Sequence, residues 1–370
     1  MRVLVALSGG VDSSVAAALM TEQGHEVVGA TMKLWGGPSD SGCCSVADVE
    51  DARRVCQQLG VAHHVFNFSS EFERDVVAPY VEGHARAVTP NPCISCNAHL
   101  KFDRFWQRAR HLGFDAIATG HHARVSGRPT GRVGGPGAGP WHLRRGRDAA
   151  KDQSYVLYML GQAQLRDLVL PVGEMTKEEV RAHASRLGLR TASKPDSQDV
   201  CFISRTGGRS AFLGDRIPVG PGRLVSPEGV QLGEVQELEL LTVGQRRGLG
   251  PAGHIGPGAG PSGRRYVLDV DLVQRKATLG PLAGLMVSSL DVGGVTWVDE
   301  EPQTGEALQV QMSAHGRPVG GHWEPSPLGD GHGRVWLVEP VRRVAAGQAV
   351  VLYRPDPDGD LVVGGGTSGG

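Results

Sequence analysis

Val3-Leu4-Val5-Ala6-Leu7-Ser8-Gly9-Gly10-Val11-Asp12-Ser13-Ser14 opens the chain and decides its fold class. Val3–Leu7 is an unbroken apolar run, as in a strand buried on both faces of a parallel sheet. Two glycines follow, so the backbone there can turn sharply and approach a ligand closely. From about Ser13 to Gln23 the pattern is helical, and Gly24 is a stop. Strand, glycine turn and helix start together gather backbone N–H groups and the positive end of a helix dipole at one point, which is an anion site. Ser8 and Ser13 add hydroxyl donors, and Asp12 could cap the helix or help hold Mg2+. A Walker loop is excluded, because no G-x-x-x-x-G-K-[ST] is present here.

Working outward, strands and helices alternate. Val27–Leu34 and Val65–Phe68 read as strands, and Val46–Leu59 as a helix with Cys56 on its apolar face. Phe102, Phe105, Trp106 and Ala109 form a helical stripe that Gly113 stops, and Ala116–Thr119 is a further strand ending in Gly120-His121-His122. Such alternation implies a doubly wound α/β domain with a parallel sheet. Residues 126–147 interrupt it with a Gly/Pro-rich stretch that reads as a flexible surface insertion. With Arg124 this stretch carries six arginines (124, 128, 132, 144, 145, 147) and no acid. Helical signals return over Ser154–Leu168 and over Thr176–Leu187, where Thr176 and Glu179 make a capping box. Beyond about residue 208 the texture is β-rich: Arg223–Val225, Leu238–Val243, Arg265–Val270 and Ala277–Leu279, then Gln309–Met312, Arg334–Leu337 and Ala349–Tyr353. The expected division is a catalytic domain over 1–208, a small β-rich domain over 209–281 and a C-terminal β-barrel over 282–370.

The formal net charge of −1 excludes a blanket electrostatic grip on nucleic acid but not a local basic patch. Cations are mostly arginine, 32 against 6 lysines, and Arg is the better fork for phosphate. No run approaches 18 uninterrupted apolar residues, and the first apolar run is too short for a signal-peptide core. A cytoplasmic location is therefore expected, where cysteines start as thiols. Cys93-Ile94-Ser95-Cys96 follows Thr89-Pro90-Asn91-Pro92, whose prolines argue for a rigid loop outside a helix. One C-x-x-C pair is ambiguous between redox, metal and structural roles. Cys201 ends the polar run Lys194-Pro195-Asp196-Ser197-Gln198-Asp199-Val200, an unusual setting for a core cysteine. Adjacent Cys43 and Cys44 have poor geometry for bridging each other.

Ser8-Gly9-Gly10-Val11-Asp12-Ser13 matches the Ser-Gly-Gly-x-Asp-Ser signature of the PP-loop pyrophosphatases. Further stretches, in order, are Thr89–Phe102, Ala118–Ala123, Lys151–Leu160, Lys194–Ile203, Leu241–Gly250, Arg265–Leu268 and Gly347–Tyr353. Together they resemble the bacterial tRNA-specific 2-thiouridylases along nearly the whole chain. The resemblance implies a PP-loop domain, a central domain and a C-terminal barrel. It implies a sulfurtransferase that replaces O2 of the wobble uridine (U34) by sulfur in tRNA for Lys, Glu and Gln. ATP adenylates O2 and releases pyrophosphate; sulfur then replaces AMP.

By the same resemblance, Ala6, Leu7, Ser8, Gly9, Gly10, Val11, Asp12 and Ser13, with Met32 and Gly120, would bind ATP. Asn91, Pro92 and Cys93 would lie near the target base, and Lys151, Asp152 and Gln153 would contact tRNA. Cys201 would carry a persulfide received from a sulfur-relay protein or cysteine desulfurase, and Cys96 would be its counterpart, either attacking the persulfide to release sulfide and leave a Cys96–Cys201 disulfide or assisting the transfer directly. One branch of the family has Asp where this chain has Cys93, so that residue's role is not carried over. Three thiols, Cys93, Cys96 and Cys201, could instead hold a [4Fe–4S] cluster with one open iron. Many members carry Arg-Tyr at a tRNA-contact position that here reads Ser313-Ala314-His315, and the 124–147 arginines could supply phosphate contacts in its place. The competing readings are another PP-loop adenylating or amidating enzyme without sulfur chemistry, and a non-catalytic tRNA-binding or iron–sulfur scaffold.

Overall fold

A computed structural model describes residues 1–34, 46–127, 139–196, 200–203, 208–254, 263–327, 329 and 331–369. Cys43, Cys44 and residues 128–138 of the expected insertion lie outside the described residues.

The first domain is built on β1 (Arg2–Ala6), α1 (Val11–Glu22), β2 (Glu26–Lys33), α2 (Val46–Leu59) and β3 (Ala62–Asn67). Next come α3 (Ser69–Phe72), a π-helical stretch Glu73–Val77, α4 (Ala78–His84), α5 (Pro92–Ser95), a second π-helical stretch Cys96–Arg104, and α6 (Phe105–His111). The domain continues through β4 (Ala116–Ala118), the hairpin β5 (Ala123–Ser126) and β6 (His142–Arg145), a 3-10 turn at Ser154–Leu157, α7 (Gln162–Arg166), β7 (Leu168–Val169) and α8 (Lys177–Arg186). β3-β2-β1-β4-β7 form one parallel sheet. β1 is apolar throughout because both of its faces are covered. Val3, Val5 and Leu7 pack with Val15, Met20, Val55 and Val180 of α1, α2 and α8. Leu4 and Ala6 face the cluster of Phe72, Val76, Phe105 and Tyr155. Val3, Leu4 and Val5 are fully buried, each stabilising the fold by roughly 1.5–3 kcal/mol.

Two expectations about this domain are corrected. Ser154–Leu168 is not one helix but the 3-10 turn, α7 and the start of β7. Pro92 does not keep Cys93 and Cys96 outside a helix; it occupies the first helical turn of α5, where a missing N–H costs nothing, and Asn91 caps the helix by accepting from Cys93 N.

The second domain holds α9 (Arg209–Gly214), β8 (Gly222–Val225), β9 (Gln231–Val235), β10 (Tyr266–Asp271) and β11 (Lys276–Gly280) in the order β10-β11-β8-β9. Leu238–Val243, expected as a strand, instead forms a 3-10 turn at Leu238–Leu240. Its leucines 238, 240 and 241 are buried, and a short apolar run cannot by itself separate these outcomes.

The third domain comprises β12 (Met286–Trp297), β13 (Leu308–Gln311), β14 (Val319–Pro325), β15 (His332–Arg342), β16 (Ala349–Arg354) and β17 (Leu361–Ser368). Pairing β12-β15-β14-β13-β16-β17 closes through β17–β12 into a barrel. The hairpin β5–β6 of the first domain joins this sheet, Leu361 of β17 facing Arg144 of β6. Both ends of the expected insertion are thus ordered strand. Their arginines are committed within the protein: Arg144 to Asp356 at 2.6 Å, Arg145 to Asp152 at 2.9 Å and Asp360 at 3.0 Å, Arg147 to Glu179 at 3.1 Å, and Arg124 to Glu174 at 3.6 Å.

Candidate active site

β1 lies where the chain order reverses: β2 and β3 stand on one side of it, β4 and β7 on the other. Such a switch point leaves a crevice at the carboxyl ends of the strands, and the Ser8–Ser13 loop occupies it. Gly10 is the N-cap of α1 and makes no side-chain cap, so the first-turn N–H groups remain for an anion. Gly9 has φ +74°, and a Cβ there would lie 2.4 Å from Asp48 O, so both backbone conformation and space require glycine. Ser8 N donates to Ser13 Oγ at 3.2 Å, and Ser13 Oγ donates to Gly10 O at 3.1 Å. Gly120 follows β4, and a Cβ on it would lie 2.5 Å from Ser13 N. Met32, near the end of β2, is buried at 7% exposure beside Leu34 and Phe68 in the same core cluster. Ala6, Leu7 and Val11 are buried and shape the loop from beneath.

The sequence does not reveal the charge network behind the loop. Lys177, at the start of α8, donates to both oxygens of Asp12 at 2.7 Å, and His122 Nε2 lies 3.1 Å from Asp12 Oδ1. Lys177 also meets Asp196 at 2.8 Å, and Asp196 holds Lys151 at 2.8 Å and Arg181 at 2.7 Å. Lys194 donates to Gly9 O at 2.9 Å and pairs with Asp48 and Asp51 at 2.8 and 2.9 Å. Burial raises the Asp12 pKa, but the His122 hydrogen bond and Lys177 outweigh it and leave the carboxyl below its ordinary value. At Asp196 desolvation likewise pulls upward, and Lys151 and Lys177 bring the pKa down to about 2. Burial drives His121 well below the usual imidazole value, with Lys101 and His122 adding to the effect, so it is neutral at pH 7. Its Nδ1 lies 2.8 Å from Thr119 Oγ1. The only sequence signal for Lys177 was its place in the capping-box turn after Thr176.

Cys93 is exposed, while Cys96 and Cys201 are half-buried. Cys96 and Cys201 both pack against the large cluster that also contains Met32 and Leu34. Pro92, the residue before Cys93, is buried. The segment before Asn91 is fixed by the barrel: Thr89 N donates to Ala346 O at 2.8 Å, and Gln348 Nε2 donates to Thr89 O at 2.5 Å. Among the described residues no three His, Cys, Asp or Glu side chains are grouped so as to hold a metal ion. Cys56 is core, its pKa pushed up to about 11 by burial.

Asp152 accepts from Arg145, Gly146 N, Ser154 N and Ser154 Oγ, and so secures the hairpin to the 3-10 turn. Gln153 Oε1 accepts from His122 N at 2.9 Å. Gln153 is exposed and the Lys151 side chain is 38% exposed, whereas the Asp152 side chain is covered.

Residues 1–205 match the family model described as "tRNA methyl transferase HUP domain", and residues 287–367 match "Aminomethyltransferase beta-barrel domain". A tRNA-specific 2-thiouridylase MnmA from Mycolicibacterium smegmatis is 46% identical over 370 residues, 98% of each chain. The chain belongs to the tRNA-specific 2-thiouridylase family. A second member, MnmA of Mycobacterium tuberculosis, is 45% identical over 377 residues, covering 100% of this chain and 97% of that protein. The U34-tRNA thiolase NcsA from Methanococcus maripaludis with its [4Fe-4S] cluster is a looser likeness. It has a TM-score of 0.36 and 16% identity over 57% of this chain and 63% of that one, too distant to transfer any site. The likeness to these 2-thiouridylases runs over nearly the whole chain, and no described helix is long and apolar enough to cross a membrane.

Proposed function

We propose that this 2-thiouridylase catalyses ATP-dependent 2-thiolation of the wobble uridine in tRNA for Lys, Glu and Gln. The observation that carries the reading is the joining of the nucleotide loop to the segment leading into Cys201. Lys194 bonds Gly9 O, and Asp196 reaches Asp12 through Lys177. An ATP-cleaving loop and a thiol-bearing segment held in one network suit a reaction that couples adenylation to sulfur transfer.

In the first step uridine O2 attacks the α-phosphorus and pyrophosphate leaves. N–H groups at the start of α1 and Ser8 would hold the phosphates, with Lys177 close enough to neutralise charge as it develops. Asp12, 30% exposed, fits a Mg2+ carried in with the nucleotide, since such an ion needs only one or two carboxylates beside the phosphates. The ion would lower the charge repelling the incoming oxygen. Met32 and Gly120 would border the adenosine.

In the second step the terminal sulfur of a Cys201 persulfide attacks C2, the C2–O bond breaks and AMP leaves. Cys96 thiolate then attacks Cys201 Sγ, which frees the 2-thiouridine and leaves a Cys96–Cys201 disulfide. A dithiol supplies the two electrons that reset the pair, and a persulfide-bearing partner protein reloads Cys201. Asn91, Pro92 and Cys93 at the start of α5 would border the splayed-out base, and Lys151 would meet the RNA beside it. The test is single-turnover thiolation with an unmodified tRNA(Lys) transcript, ATP and persulfide donor. Thiolated U34 with equal AMP and pyrophosphate is expected; pyrophosphate without thiolation would point to a PP-loop ligase of another kind.

A further inference from the structure

Leu240 to Leu268 contains four arginines and one histidine and no Asp or Glu. Within this stretch, Arg246, Arg247, Gly248, Leu249, Gly250, Gly253, His254 and Arg264 line a cavity of about 300 Å3 on the second domain. Arg246, Arg247 and Arg264 are all exposed, and none makes an ion pair with any described residue. The contrast with the β5–β6 hairpin is direct, because its three arginines and the neighbouring Arg147 each face a carboxylate.

The surrounding loop is built rather than slack. Arg265 donates to Ala252 O at 3.1 Å and to His254 O at 2.6 Å, and its backbone N donates to Gly253 O at 2.9 Å. Gln245 braces the other wall, accepting from Thr242 N at 3.1 Å and donating to Arg247 O at 2.9 Å. Gly248 and Gly250 have φ +79° and +55°, so the backbone folds back and sets the two arginine side chains beside the cavity mouth. Three like charges held together without a counter-charge repel one another, and an anion relieves that cost. Guanidinium forks match the paired oxygens of a phosphodiester.

We infer that the Arg246–Arg247–Arg264 cavity binds phosphodiester groups of the tRNA backbone, a contact made by the second domain in addition to those at the catalytic site. The inference rests on the tRNA reading above. Because the three arginines are exposed and unpartnered among described residues, replacing them costs little folding stability.

Binding of a tRNA(Lys) transcript to the full-length protein would be measured between about 50 and 200 mM KCl. Wild type would be compared with the triple Arg246→Gln, Arg247→Gln, Arg264→Gln variant and with the matching triple Lys variant, each checked by thermal melting. No tRNA binding by the wild type would sink the tRNA reading itself. With binding present, the Gln triple is expected to weaken affinity roughly tenfold or more at about 0.1 M salt and to flatten the log K against log salt slope by about two to three. The Lys triple should keep most of that slope, since charge is retained. Wild-type affinity and slope in the Gln triple would overturn the inference. Should the triple melt early, Arg247→Gln alone should lower the slope by about one, and an unchanged slope overturns the inference equally. Inorganic pyrophosphate is the second probe. If the Gln triple loses pyrophosphate binding but keeps its tRNA slope, the cavity takes free polyphosphate and the RNA assignment fails.

Discussion

Lys177 and Asp12, 165 positions apart, meet with the ammonium 2.7 Å from both carboxylate oxygens, directly behind the first turn of α1. With a side chain only 9% exposed, Lys177 is held by folding rather than by chance contact, and it touches the Cys201 segment through Asp196. The same cation therefore serves the nucleotide loop and the thiol-bearing loop.

Lys177→Met should leave tRNA binding largely intact and lower tRNA-dependent pyrophosphate release by at least about 100-fold, the scale of removing one preorganised charge from a phosphoryl-transfer site. Release within tenfold of wild type would show that Lys177 only supports the fold.

Cys201→Ser and Cys96→Ser should each abolish 2-thiouridine formation while AMP-forming chemistry survives. Pyrophosphate release and thionucleoside analysis on the same reaction separate the two steps. Should both products vanish together, the thiols would be structural.

Asp152→Ala removes an acceptor of four hydrogen bonds and one of the two carboxylates on the Arg145 guanidinium, which keeps Asp360 and stacks 3.6 Å over Tyr353. A loss of about 2–3 kcal/mol in unfolding free energy is expected, from the Gly146 and Ser154 donors left without their acceptor. Chemical denaturation measures it, and a change under 1 kcal/mol would deny the hairpin this anchor.

Asp196 has its pKa depressed from 3.8 to about 2, so its pairing with Lys151, Lys177 and Arg181 stabilises the fold fully above about pH 4. That contribution fades as pH falls from 4 toward 2. Asp196→Asn should lower stability at pH 7 and flatten the acid limb of the stability curve. An acid limb identical to wild type would place the network's energy elsewhere.

Much of the catalytic domain was legible because local pattern and tertiary role agree there. Val46–Leu59 forms the helix its apolar spacing implies, and Thr176 with Glu179 forms the capping box. The barrel was less legible. β17 carries Gly364, Gly365 and Gly366, a poor strand signal, yet a Cβ at those positions would lie 2.3–2.6 Å from backbone oxygens of the flanking strands. Glycine is needed there so that the strands can approach as the barrel closes.

By itself the sequence determined the parallel sheet, the anion-binding turn at Ser8–Ser13 and the candidate thiols, because each is written in a contiguous run of residues. Only the tertiary structure decided which charges meet. It set Lys177 on Asp12 and Asp196, turned Arg144 and Arg145 inward onto acids of the barrel, and left Arg246, Arg247 and Arg264 without acids among the described residues. Ion pairing depends on distances across the folded chain, and no local periodicity encodes a contact 165 residues away.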